Sequence, residues 1–166
     1  MGKFSKKIAT VCCAVSMVFL SGCALFEEGG EPYGIAATSV AVCEILDRLE
    51  CDSVVGVPST SGTLPTRYAT VTTIGAPMNP DMEILKSIRP EYVLTPKTLE
   101  SSLSVQYKNA GLNAKFLDLS SVEGLYSEIT ALGEMLGKEE NAHDMVKEYE
   151  TYMQNYAVGD ESPNVL

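Results

Sequence analysis

The sequence predicts an α/β fold: a mostly parallel sheet of about five strands flanked by helices, followed by one longer helix. Three observations lead there. Short apolar runs alternate with segments whose apolar residues recur at helical spacing, the pattern of strand–helix–strand units. Ser, Asn, Gly and Pro stand where such helices would start and stop. The composition, 45% hydrophobic and 20% charged over 166 residues, is that of a folded chain with room for one ordinary domain and not two.

The first 22 residues stand outside that alternation. Lys3, Lys6 and Lys7 precede an apolar run over residues 8–20, which has the layout of a secretory signal and is short for a bilayer span. The run ends in Leu20-Ser21-Gly22-Cys23, which resembles a bacterial lipobox. That resemblance implies a signal peptide over residues 1–22 and a lipidated Cys23. It places the chain on the extracytoplasmic face of the cell membrane as a lipoprotein. The alternative is an ordinary secretory peptide in which Cys23 is incidental. Two acyl chains hold a protein stably where one is marginal. Residues 23–33, with their acids, glycines and proline, read as the lipidated tether and linker.

From Gly34 the elements follow in order. Gly34-Ile35-Ala36-Ala37 is the first apolar run. Ser39 then caps a helix with Val42, Ile45, Leu46 and Leu49 at i, i+3, i+4 and i+7. Residues 53–57 and 72–74 read as strands. Asn79-Pro80-Asp81 reads as a helix start, with Asn79 as N-cap, Pro80 in the first helical position and an acid in the first turn. Met82, Leu85 and Ile88 line one side of that helix, and Arg89-Pro90 ends it. Residues 92–95 form the next strand. Leu99, Leu103, Tyr107 and Ala110 stripe the helix behind it, closed by Gly111.

Residues 114–117 are a further strand. Ser120-Ser121-Val122-Glu123 has capping-box spacing and opens a helix with Leu125, Ile129, Leu132 and Leu136 inward, ended by Gly137. A longer helix runs from Glu139 to about Tyr156, with Ala142, Met145, Val146, Tyr149, Met153 and Tyr156 on one face. After a break at Gly159–Pro163, Asn164-Val165-Leu166 reads as the opening of another strand. Cys43 and Cys51, one inside a helix and one just past it, are too far apart along it for a bridge and read as small core residues.

Charge and residue counts remove several function classes. Twelve basic residues against 22 acidic ones give a net charge of −10, with no basic stripe for nucleic acid. Once Lys3, Lys6 and Lys7 leave with the signal, nine basic residues face 22 acids, a net −13. Such a body is repelled by anionic lipid, so the tether must hold it at the membrane. Five cysteines without paired spacing and a single histidine, His143, exclude a zinc site or a metalloprotease motif. No nucleophile–base pair, no phosphate loop with lysine and no carboxylate pair is legible, so an enzyme is not expected.

The stretch Asn79-Pro80-Asp81-Met82-Glu83-Ile84-Leu85-Lys86-Ser87-Ile88-Arg89-Pro90-Glu91-Tyr92-Val93-Leu94 resembles the helix-to-strand signature of ABC-transporter substrate-binding proteins of the helical-backbone class. Four further stretches, residues 37–42, 56–61, 63–68 and 75–82, resemble the haem-receptor lipoproteins of the iron-regulated surface determinant type within that class. The similarity runs from about Gly34 to the end. It implies two α/β lobes of a periplasmic-binding-protein-like fold, joined by a long helix, with the ligand in the cleft. Residues 34–138 would be the N-terminal substrate-binding lobe, 139–158 the interlobe helix, and 159–166 the start of a truncated second lobe.

The resemblance implies haem as the transported ligand, with Met78 as an axial ligand of its iron. A thioether is a soft ligand suited to haem iron. Taken by itself, a lone methionine more often fills apolar surface. Placed just before an Asn79 cap, however, Met78 would face Glu83 at the staple position and so lack an apolar partner. The haem propionates would meet the N–H groups of Val40 and Ala41 in the first turn of a helix. The loop Ser59, Thr60 and Ser61 would meet them too, although composition alone makes it a solvated turn. The direction of Arg67 is not legible.

Glu83 aligns with the acid that docks the membrane permease in this class, or is a plain surface carboxylate. His143 shares a helix side with Glu139, Lys147 and Glu150 and reads as a solvated residue. The partners implied are haem, an ABC permease with its ATPase, and upstream cell-surface haem-transfer proteins. Two rival functions stand beside haem delivery: binding of a ferric siderophore or corrinoid in the same cleft, and a single-lobe interaction protein without a small ligand.

Overall fold

The computed structural model describes residues 34–158; the expected signal peptide, Cys23, the expected tether and residues 159–166 lie outside the described residues. The chain runs β1 (Ile35–Ala37), α1 (Val40–Arg48), β2 (Val54–Val57), β3 (Thr72–Thr73), β4 (Gly75–Ala76), β5 (Asn79–Pro80), α2 (Met82–Ile88) and β6 (Tyr92–Pro96). It continues through α3 (Glu100–Asn109), β7 (Ala114–Leu117), α4 (Val122–Leu136) and α5 (Glu139–Val158). Five strands form one sheet in the order β3-β2-β1-β6-β7, every pairing parallel. The α/β class and the parallel sheet are as the alternation predicts.

The central strands are mostly apolar on both sides because both faces are covered. Ile35 and Ala37 of β1 enter one core with α1, α4 and α5, while Ala36 enters the other with α2 and α3. In β6 the same alternation sends Leu94 to the first core and Val93 to the second. Val42, Ile45, Leu46 and Leu49, the stripe read from the sequence, are buried, and Cys43 is buried beside them. Ser39 caps that helix through a bond from the Val42 N–H to its hydroxyl, at 3.3 Å. Cys43 and Cys51 are both buried and unbridged.

Three expectations need correction. The cap of α2 is Asp81, not Asn79: its carboxylate accepts from the N–H groups of Glu83 and Ile84 at 2.9 and 3.0 Å. Asn79 and Pro80 are consumed earlier, pairing antiparallel with Ala76 and Gly75 in a small hairpin. The Asp81 N–H closes that hairpin on the Ile74 carbonyl at 2.8 Å. At α4, the cap is Ser121, whose hydroxyl accepts from Gly124 N–H at 3.0 Å. Its neighbour Ser120 turns back to Asp118 instead of forming a box with Glu123.

On α5, Ala142 and Met145 are buried and Val146 and Tyr149 pack against the core. Met153, however, is 43% exposed. The reason is length: α4 has 15 residues and α5 has 20, so at ~1.5 Å per residue the last turn of α5 overhangs its partner.

Candidate functional site

Strand order decides where a ligand can sit. The order reverses at β1, which pairs with β2 on one side and β6 on the other. The connections leaving the carboxyl ends of these strands therefore diverge and leave a crevice between them. The connection after β1 is Thr38-Ser39 into α1, that after β2 begins Pro58-Ser59-Thr60-Ser61-Gly62, and that after β3 is the β4–β5 hairpin. Met78, Ser59, Thr60, Ser61, Val40 and Ala41 thus lie along one sheet edge, although up to 38 positions separate them in sequence.

Met78 occupies the hairpin turn, next to Asn79, and is 78% exposed. The staple argument from an Asn79 cap is therefore superseded. With Asp81 as cap, the flanking apolar positions are Pro80 and Leu85, both buried. Met78 is left projecting from a tight turn with its thioether open to solvent. The hairpin is fixed to the next loop by the Ser59 N–H, which donates to the Gly75 carbonyl at 2.8 Å.

That bond uses the Ser59 N–H, so the loop offers hydroxyls more than backbone donors. The Thr60 hydroxyl accepts from Gly62 N–H at 2.9 Å, holding the turn in shape. Ser59, Thr60 and Ser61 are all exposed. At α1, the Val42 N–H goes to the Ser39 hydroxyl and the Cys43 N–H to the Ser39 carbonyl at 3.1 Å. The N–H groups of Val40 and Ala41 have no acceptor within a helix and sit at its positive end. From the β3 connection to the β1 connection is two strand spacings, about 10 Å, a span that suits a flat ligand lying across the edge.

Beneath this edge lies a buried polar floor that the sequence reading missed. Thr38 and Thr95 are 1% and 0% exposed. The hydroxyl of Thr38 bonds the Leu94 carbonyl and the Thr95 hydroxyl, each at 3.2 Å, and Thr95 bonds the Tyr107 hydroxyl at 3.3 Å. Burial pushes the Tyr107 phenol above its ordinary range. The chain joins β1, β6 and α3 where the crevice opens. Its only sequence signal is a threonine at each strand's carboxyl end.

The charged candidates divide. Arg67 turns to the opposite end of the sheet, where it pairs with Asp47 at 3.0 Å and with Asp52. Lys97, which the sequence reading passed over, follows β6 at the crevice and pairs with Asp118 at 3.2 Å. Glu83 stands exposed in the first turn of α2, paired with Lys86 at 2.6 Å. His143 is exposed on α5, away from the carboxyl-edge connections. Among the described residues no group of three or more His, Cys, Asp or Glu converges as a metal site. The edge therefore offers one soft sulfur, hydroxyls, two helix N–H groups and one ammonium.

The periplasmic binding protein family model matches residues 35–155. The high-affinity heme uptake system protein IsdE of Staphylococcus aureus strain Newman is 32% identical over 136 residues, covering 79% of this chain and 46% of that protein. The chain thus spans about half the length of the curated relatives it matches. The crystal structure of S. aureus IsdE complexed with heme superposes with a TM-score of 0.74 at 30% identity, over 79% of this chain and 52% of that one. An ABC transporter substrate-binding protein from Listeria monocytogenes EGD-e gives a TM-score of 0.74 at 38% identity, over 78% and 51%. The siderophore-binding protein BauB, at 21% identity and a TM-score of 0.67 over 80% and 50%, shares the fold.

Proposed function

Because the chain belongs to the periplasmic binding protein family, we propose that it serves as the haem-binding lobe of a membrane-anchored substrate-binding protein that hands haem to an ABC permease. The proteins it matches are binding components of importers and not enzymes, and the edge described above has the groups for holding a ligand, not for transforming one. The observation that carries the haem reading is Met78, an exposed thioether on a rigid hairpin about two strand spacings from unpaired helix N–H groups. Iron accepts a soft thioether, and Met ligation raises the haem potential. The propionates then lie toward Ser59, Thr60 and Ser61 and the N–H groups of Val40 and Ala41.

The named relatives that bind heme support this assignment. A ferric siderophore fits less well, since the carboxyl-edge connections contain only Arg67, which turns away, and Lys97. Lipidation at Cys23 and the extracytoplasmic location belong to the same proposal, as does Glu83 as the acid that docks the permease. The membrane tether, the second axial ligand and the ATPase complete the assembly that the resemblance implies.

A haemin titration of the full chain, followed at the Soret band, tests this reading. The parent should show a saturable shift, and Met78→Ala should weaken it by about tenfold or more. Glu83→Ala should leave it unchanged, because its side chain is exposed and pairs with Lys86 along α2. Absence of a saturable shift in the parent would overturn the haem reading; a shift identical in Met78→Ala would remove Met78 as the ligand.

A further inference from the structure

Five connections leave the carboxyl ends of the sheet strands, and between them they contain two basic side chains, Arg67 and Lys97. Arg67 is held at the far end of the sheet by Asp47 and Asp52. Lys97 is therefore the one cation that these connections bring to the crevice. The register fixes its place: Ala37 is opposite Leu94, and the Thr38 N–H donates to the Leu94 carbonyl at 3.1 Å. Lys97 lies three residues beyond Leu94 and Val40 three beyond Ala37, so the ammonium's backbone is one strand away from the unpaired N–H groups of α1.

The Lys97 ammonium is parked, not buried. Its side chain is 55% exposed and that of Asp118 is 37% exposed. An exposed pair of this kind is worth little and separates readily. Asp118 does not depend on it. Its other oxygen accepts from the Ser120 hydroxyl at 2.6 Å and from the Ser120 N–H at 3.3 Å. Asp118 also has its carboxyl held below the ordinary range, chiefly by Ser120 and then by Lys97. The carboxylate therefore stays in place and charged when the lysine leaves.

We propose that Lys97 is a specificity residue of the site: it exchanges Asp118 for an anionic group of the bound ligand. The inference rests on the haem reading above, in which that group is a porphyrin carboxylate. In a protein of net charge −10, such an anion needs a local cation, because the surrounding field opposes it. Asp118, which follows β7, acts as a competitor that holds the ammonium on the β7 side of β6, so the exchange swings it one strand toward β1, and the serine partner of Asp118 makes the exchange cheap. A ligand without an anionic group would leave the Lys97–Asp118 pair intact and gain nothing from it.

The test compares haemin with haemin dimethyl ester, which keeps the ring and the iron but lacks the charged carboxylates. The full chain, Lys97→Gln and Asp118→Asn are titrated with both at the Soret band. Lys97→Gln should weaken haemin binding by about tenfold, the size of one charge-assisted hydrogen bond, and leave the ester unchanged. Asp118→Asn should bind haemin at least as tightly as the parent. An equal loss for both ligands, no loss for either, or weaker haemin binding in Asp118→Asn would each overturn the exchange. A parent that binds haemin and the ester equally well would overturn it while the haem reading stands. A parent that binds neither would overturn the haem reading and this inference with it.

Discussion

Cys43 shows how strongly a single position responds to its surroundings. It lies on the inward stripe of α1 at 0% exposure, and burial, helped by the charge of Glu44, pushes its thiol from the ordinary 9.0 up to about 12. A raised acid favours the neutral form in the folded state. Its contribution to stability is therefore full below pH 9.0 and lost as pH rises toward about 12. Cys43 in the native protein should resist alkylation at pH 8, read by mapping the labelled peptide, and the denaturation midpoint should fall across that alkaline window. Cys43→Ala should flatten the fall; an identical pH profile in both proteins would refute the argument. Cys43 was legible as core because a small apolar group at helical spacing has one place to go. The directions of Arg67 and Lys97 were not, because a long flexible side chain takes its partner from whatever the fold brings near.

The β4–β5 hairpin is the element on which the proposed site depends, and the sequence disguised it as a helix start. Asn79-Pro80-Asp81 fits a cap, a first helical proline and a first-turn acid, yet the carboxylate two residues later caps better and frees Asn79 and Pro80 to pair. The hairpin requires Gly75, whose φ of +92° is unfavourable for other residues and whose added Cβ would meet the Asp81 nitrogen at 2.9 Å. Gly75→Ala should cost about 1–3 kcal/mol. It should also weaken the haemin shift as Met78→Ala does, because Met78 rides on the turn. Urea denaturation beside the Soret titration measures both, and a variant unchanged in stability and in ligand binding would contradict this role. The caps of α1 and α4 were legible to within a residue, since side chain and backbone meet there locally.

For the whole molecule, two apolar cores on one parallel sheet make a rigid platform, and α5 is sealed to it through α4. Gly133 permits that seal: a Cβ there would stand 2.4 Å from the Ala142 Cβ and 3.1 Å from the Lys138 carbonyl. Gly133→Ala should destabilise the protein by about 1–3 kcal/mol, read as a lower urea midpoint with an unchanged slope. A midpoint equal to the parent's would show that the two helices separate without cost. The sequence by itself determined the α/β class, the number and order of the sheet strands' segments, the helix stripes and the family. Each of these follows from local periodicity and from residues that cap or break helices. Only the tertiary structure decided that β1 lies between β2 and β6 and that Met78 tips a hairpin. It also decided that Arg67 turns to the opposite end of the sheet while Lys97 stays at the carboxyl edge beside Asp118, and that Thr38, Thr95 and Tyr107 join beneath that edge. Those facts depend on which strands become neighbours, a choice made by burial across both sheet faces and not by any short stretch of sequence.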